Sequence, residues 1–313
     1  MFALAPLKVV HGVVTDFSRL SDSRDEAEYR IVLEPYLALL RNQMRSWRFF
    51  LNKSVPDVVK QVLDEHDLHG WEYVFDLKQS YPVREQINQA NESDLAFIER
   101  LLSETGIYYR FTLQPDTQTE IINFSDSQQS YEFGKTLPLS HPSGMNDGHA
   151  ESVWNLSVRH RVVEASVTTK DYNYREAQKI LMSAPADMTR GEGEGLTYGD
   201  VRHYKLRHLD TGSPSDPEPE TANFWARLDH ERFLARQTVV RGVSTAPWLA
   251  AGQVLMINNS TPFAVLPAVL ESPVVITRVR FAASRKDALR VNLRAVPRER
   301  SSKVFKKHTD GVS

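Results

Sequence analysis

Residues Tyr81–Tyr109 read YPVREQINQANESDLAFIERLLSETGIYY and carry the clearest local signals in the chain. Ser93 is an N-cap residue whose hydroxyl can accept a free backbone N–H, and Asp94 suits the positive end of a helix. Leu95, Ile98, Leu101 and Leu102 then recur at helical spacing, and Gly106 stands where a left-handed C-cap is wanted. The pattern predicts a helix between Ser93 and Gly106. Ile107–Leu113 (IYYRFTL) and Thr119–Phe124 (TEIINF) lie on either side of Pro115-Asp116, which predicts a β-hairpin.

Toward the N-terminus, Ser54 with Asp57 resembles a capping box, and Pro56 sits in the first turn, where its missing N–H costs nothing. Val58, Val59, Val62 and Leu63 form an apolar stripe, so a helix from about 55 to 66 is predicted. Trp71–Leu77 alternates like a strand. Val9–Asp16 and Glu28–Glu34 are short β-branched runs around the polar loop Ser18–Glu26.

Toward the C-terminus, Tyr131–His149 is rich in Pro, Ser, Gly and Asn and reads as a loop or boundary. Ser152–Thr169 alternates repeatedly, and 183–218 is a Pro/Gly/acidic connection containing one Tyr/His run. A helix is predicted from about Pro219 to Gln237, its aromatics forming a core stripe and its arginines solvated. Strand-like runs at Gln253–Asn258, Val274–Ala282 and Ala288–Ala295 follow. The mixture predicts an α+β, mainly β fold, with antiparallel barrels or sandwiches preferred over a doubly wound sheet. A weak internal echo links GVVTDF…YRIVLEP (Gly12–Pro35) to TRVRF…LRVNLRAVP (Thr277–Pro297): a strand ending in Phe, a polar turn, and a strand closing at Pro.

The composition narrows the function. The 313 residues carry 38 Lys+Arg against 40 Asp+Glu, ten His and no Cys. That length allows about two domains. Near-neutral charge argues against a chain built to grip nucleic acid or anionic membrane. The absence of cysteine excludes disulfides, thiolate catalysis and Cys-ligated metals. No targeting segment is read in MFALAPLKVVHGVV, and no run approaches a transmembrane span, so the cytoplasm is the default address.

Motifs for chemistry are sparse. His66 and His69, in DEHDLHG, have the i, i+3 spacing of a metal pair, but a helix C-terminus favours histidine by its dipole alone, and a solvated cap is expected. His203 and His208 fall on opposite faces of a strand. Gly191, Gly193 and Gly195 alternate with Glu192 and Glu194, which would repel a phosphate. Glu271 with Asp287 is one of many carboxylate pairs and carries no weight, and no nucleophile elbow is present. Arg227, Arg232 and Arg236 among Phe224 and Trp225 read as a core helix, and the basic tail from Arg298 to Lys307 as a disordered extension. No catalytic, cofactor-binding or metal residue is assigned.

The Tyr81–Tyr109 window resembles the Y-P-x-R-E…Q…E-S-D…F…R-L-L-x-E-x-G-I-x-Y signature of VgrG proteins, the spikes of type VI secretion systems, and of the related contractile phage tail hubs. The matching residues include Tyr81, Pro82, Arg84, Glu85, Gln89, Glu92, Ser93, Asp94, Phe97, Arg100, Glu104, Gly106 and Tyr109. Further matches follow in the family's order: His11-Gly12-Val13-Val14, Tyr29–Leu40, Phe49–Val59, Asp171-Tyr172-Asn173 and Leu249–Gly252, the last with Ala251 where the family has Pro.

The resemblance implies two related antiparallel β-barrel hub domains with smaller α+β insertions. It divides the chain into a partial first barrel (1–50), an insertion (51–145), further α+β elements with the second barrel (146–297) and a tail (298–313). It implies a hub cut at both ends relative to the family, a structural role without catalysis at the base of a homotrimeric spike, and no cofactor. The partners implied are other copies of the chain, a hexameric tube protein, baseplate proteins and, optionally, effectors, with no nucleic acid or small-molecule substrate. Assembly in the cytoplasm followed by export through the contractile machine is the expected itinerary. A phage or prophage tail hub is the alternative, and a His66/His69 metal hydrolase the distant one.

Overall fold

The computed structural model describes residues 8–22, 27–140, 151–189, 196–204, 210–259, 266–283 and 289–298, which fall into two compact units divided between Ser125 and Asp126. The first unit holds seven strands and two helices. β1 (Val13–Asp22) and β2 (Ala27–Glu34) form a two-stranded antiparallel hairpin, and a 3-10 turn (Tyr36–Asn42) leads to β3 (Met44–Lys53). α1 (Val55–Asp64) and β4 (Tyr73–Asp76) precede β5 (Arg84–Ser93), which pairs back on β3. α2 (Asp94–Thr105), β6 (Tyr108–Leu113) and β7 (Glu120–Ser125) complete the unit, in a sheet ordered β4-β7-β6.

Local chemistry places both helices. Ser54 Oγ accepts from Asp57 N at 3.4 Å, and Ser93 Oγ accepts from Ala96 N at 3.2 Å. Gly106 closes α2 in the left-handed region at φ 72°, as its position predicts. α1 stops at Asp64, earlier than expected, because Asp67 turns left-handed (φ 59°) and Leu68 N folds back onto Leu63 O. The valines of α1 and Ile98, Leu101 and Leu102 of α2 share one core with Phe50 and Phe124. The hairpin expected across Pro115-Asp116 forms as β6 and β7.

The second unit is built on a barrel. β8 (Glu132–Pro138), β9 (Val153–His160), β13 (Thr238–Ser244), β14 (Gln253–Asn258), β15 (Val274–Ala282) and β16 (Arg290–Pro297) form one sheet ordered β8-β14-β15-β16-β13-β9. A bridge from Leu139 to Val153, with Ser140 N donating to Val153 O at 2.8 Å, joins its two edges and closes it. Leu255, Val274, Ile276, Val291 and Leu293 fill the interior. β8 lies where the composition of Tyr131–His149 predicts a loop, and it runs parallel to β14 while the other ladders are antiparallel.

Against the barrel's chain segment stand β10 (Ser166–Asp171), β11 (Leu181–Met182) and β12 (Asp200–Tyr204), a small sheet covered by α3 (Ala222–Gln237). β12 is the Tyr/His run of the long connection. α3 departs from a one-stripe helix: Phe224, Trp225 and Leu228 pack together, while Ala226 and Phe233 pack on Val167 and Val201. Among the described residues no helix is long and apolar enough to cross a membrane.

Candidate interface

Two sheet faces of the first unit are apolar and open. In the β1–β2 hairpin, Val14 faces Leu33, Phe17 faces Ile31 and Arg19 faces Tyr29. A bulge at Thr15 lets Val14 and Phe17, three residues apart, share one face. On that face Val14, Phe17, Tyr29, Ile31 and Leu33 are each 51–64% exposed, and the Phe17 and Tyr29 rings stack at 5.6 Å. Each such side chain forgoes roughly 1 kcal/mol of the stabilisation that full burial would give.

The base of the hairpin is tied down by polar contacts. Thr15 Oγ1 donates to Glu34 Oε2 at 2.6 Å, and Arg41 grips the same carboxylate with both guanidinium nitrogens. These bonds, Arg41's first, hold the Glu34 carboxyl down at about 2. Gly12 is required beside it, since a Cβ there would lie 2.6 Å from Glu34 O.

The second open face belongs to β3–β5. Its inner side carries Phe50 opposite Ile87 and Arg48 opposite Gln89, turned to the core. Its outer side carries Trp47 opposite Ala90, Phe49 opposite Asn88 and Leu51 opposite Gln86. Trp47 is 64% exposed, and Phe49 and Leu51 slightly more than half. Contiguous apolar surface of this kind marks a contact site.

Beneath β3–β5 sits a buried carboxylate. Asp94 is fully enclosed and takes Gln89 Nε2 at 2.7 Å on Oδ1 and His66 Nε2 at 2.9 Å on Oδ2, with Arg45 and Arg48 each 3.8 Å away. Arg48 also donates to Gln89 Oε1 at 3.0 Å and pairs with Glu65. These contacts hold the outer face of the ribbon on a rigid base.

The histidines act as supports. His66 is a half-buried partner of Asp94 rather than the solvated cap expected, because the turn after α1 swings it against the start of α2. His69 is exposed. Among the described residues no three His, Asp or Glu side chains converge as a metal site. In the second unit Asp229 of α3 binds His203 Nδ1 at 3.0 Å and Arg232 Nη1 at 2.9 Å. Arg232 is therefore buried, against the expectation of solvated arginines, and burial pushes its guanidinium down. Arg236 is exposed, and Arg227 donates to Ser215 O at 2.9 Å. Glu271 is exposed; Asp287, His208, the Gly191–Gly195 run and the tail beyond Arg298 lie outside the described residues.

The chain is similar to known proteins in sequence and fold. Residues 6–287 match the family described as phage tail baseplate hub (GPD). The type VI secretion system spike protein VgrG4b of Pseudomonas aeruginosa is 28% identical over 251 residues, 79% of this chain but 29% of its own length. The Escherichia coli c3393 protein, a component of the type VI secretion system with structural similarity to bacteriophage T4 tail proteins gp27 and gp5, is 31% identical in sequence. It superimposes with a TM-score of 0.65 over 93% of this chain and 61% of its own. A tail protein from Neisseria meningitidis shares the fold at a TM-score of 0.57 with 12% identity. The chain thus spans under a third of the first curated relatives it matches.

Proposed function

The chain belongs to the phage tail baseplate hub family, and from that premise we propose that it is a hub portion of a type VI secretion spike, working by self-association rather than by chemistry. The carrying observation is the open apolar face of Trp47, Phe49 and Leu51, which is set on a buried polar base. Three copies form a ring on which a spike sits. That ring docks on a hexameric tube and the baseplate, with effectors as further cargo. The β1–β2 hairpin and the six-stranded barrel are the two hub-barrel parts, and the elements between them are the insertion. The protein assembles in the cytoplasm, leaves through the contractile machine, and uses no cofactor, nucleic acid or small-molecule substrate.

Light scattering and native mass spectrometry of the purified chain over a range of concentrations test this reading. A threefold mass, and retention on immobilised tube protein, are expected. A chain that stays monomeric and binds neither tube nor baseplate protein overturns it. The second reading, a phage or prophage tail hub, is favoured by the family's own description and by the shared fold of the Neisseria tail protein. Selective binding to a phage tube protein over a type VI one would establish it.

A further inference from the structure

One side of the barrel carries positive charge with nothing to balance it. β15, β16, β13 and β9 are neighbours in the sheet and hold six arginines, Arg159, Arg241, Arg278, Arg280, Arg290 and Arg294, without one Asp or Glu among their residues. All six are exposed and alternate with the apolar positions that fill the barrel, so they share its outer face. Arg294 lies directly opposite Arg241 on one side and Arg278 on the other, which sets three arginines in line across about 10 Å. Arg161, just past β9, adds to them: burial and the charges of Arg241, Arg161 and Arg278 push the Arg294 guanidinium down. Among the described residues none of these arginine side chains meets a carboxylate or another hydrogen-bond partner. Like charges directly opposite on neighbouring strands cost stability, and here that cost stands uncompensated.

The rest of the chain narrows the occupant. With the six strand arginines set aside, 32 Lys+Arg remain against 40 Asp+Glu. A nucleic acid or an anionic bilayer extends past so small a patch and meets that acidic surplus, whereas a compact acidic protein surface need cover the arginines alone. The guanidinium fork also pairs with a carboxylate through two parallel hydrogen bonds, which suits a face lined by Asp and Glu. We propose that the outer face of β15, β16, β13 and β9 docks an acidic surface of a partner protein, its carboxylates seated on the line Arg278–Arg294–Arg241. The contact goes beyond the hub reading and stands whether or not the chain associates with itself.

Fluorescence anisotropy with the full chain tests it, using a polyglutamate peptide of about ten residues and a single-stranded DNA of about ten nucleotides. The peptide is expected to bind more tightly than the DNA, and less tightly as salt rises. Arg241→Gln/Arg278→Gln/Arg294→Gln should weaken peptide binding at least about tenfold. The same triple variant should keep or raise the urea midpoint, since the like-charge repulsion is gone. Arg30→Gln/Lys170→Gln, which removes exposed positive charge elsewhere, should bind as wild type does. No binding of the peptide, undiminished binding by the triple variant, or equal weakening by the double variant overturns the proposal. Tighter binding of the DNA overturns it in favour of nucleic acid. Salt-sensitive self-association that the triple variant loses also overturns it, by making a second copy the occupant.

Discussion

His66 Nε2 and Asp94 Oδ2 stand 2.9 Å apart, joining the turn after α1 to the first residue of α2. Asp94 is fully buried, so the contact fixes both helices beneath the β3–β5 ribbon and excludes water from its own carboxylate. Removing the carboxylate takes from Gln89 Nε2 its shorter hydrogen bond and from Arg45 its nearby counter-charge, while Arg48 keeps Glu65. Asp94→Ala is therefore expected to lower stability by about 3 kcal/mol, and His66→Ala by about 1 kcal/mol. Urea unfolding of both variants measures this; an Asp94→Ala midpoint equal to wild type would refute the support role.

Two carboxyls give pH dependences of opposite sign. Burial raises Glu120 from 4.5 to about 6 against the hydrogen bond it accepts from Tyr36 N. Between those values the folded chain keeps a proton that the unfolded chain has lost, so stability from this group falls as pH rises from 4.5 to 6. Glu34, lowered to about 2, contributes stability that is complete above 4.5 and lost as pH falls toward 2. Glu120→Gln should flatten the first slope and Glu34→Gln the second, read from urea midpoints across pH.

The hairpin has its own weak point at Gly12. Gly12→Ala drives a Cβ to 2.6 Å from Glu34 O, a backbone atom that cannot swing aside. The expected cost is about 1–3 kcal/mol, confined to β1–β2. Faster amide exchange over 13–34 with unchanged exchange in α2 is the signature. An unaltered hairpin would show that the close approach is not obligatory.

Trp47 separates folding from assembly. Its side chain is 64% exposed and turned away from Phe50, so Trp47→Asp should leave the urea midpoint within about 0.5 kcal/mol of wild type. Self-association should weaken at least about tenfold, since a large aromatic is a common energetic centre of an interface. Equal association of wild type and variant, measured by analytical ultracentrifugation, would move the contact elsewhere.

Much of the fold is legible because its signals are local. Ser93 and Gly106 mark the ends of α2 by capping chemistry that no distant residue can overrule, and Pro115-Asp116 marks its hairpin in the same way. β5 is illegible for the opposite reason: REQINQANES has only Ile87 and the small Ala90 as apolar side chains, and becomes a strand through pairing with β3. β8 contains Gly134 and ends at Pro138, so its strand state depends on β14, more than a hundred residues away. The candidate interface was half visible. Tyr29, Ile31 and Leu33 alternate as a core-facing strand should, and only the structure shows that nothing in the described chain covers them. His66 reads as solvated because folding brings Asp94 to it; Arg232 reads as solvated although Asp229 lies one turn before it on α3, because the burial of that pair depends on what packs around the helix.

The closure of the barrel has a mechanical corollary. Five of its seams are ladders of paired residues, but among the described residues the seam between β8 and β9 rests on the one bridge from Leu139 to Val153. A load that pulls β8 sideways from β9 meets one contact, whereas a load along the strands is shared by every ladder at once. The barrel is therefore stiff along its strands and can be opened like a clasp at one line, and any tension passed through Pro138 and Leu139 arrives at that line first.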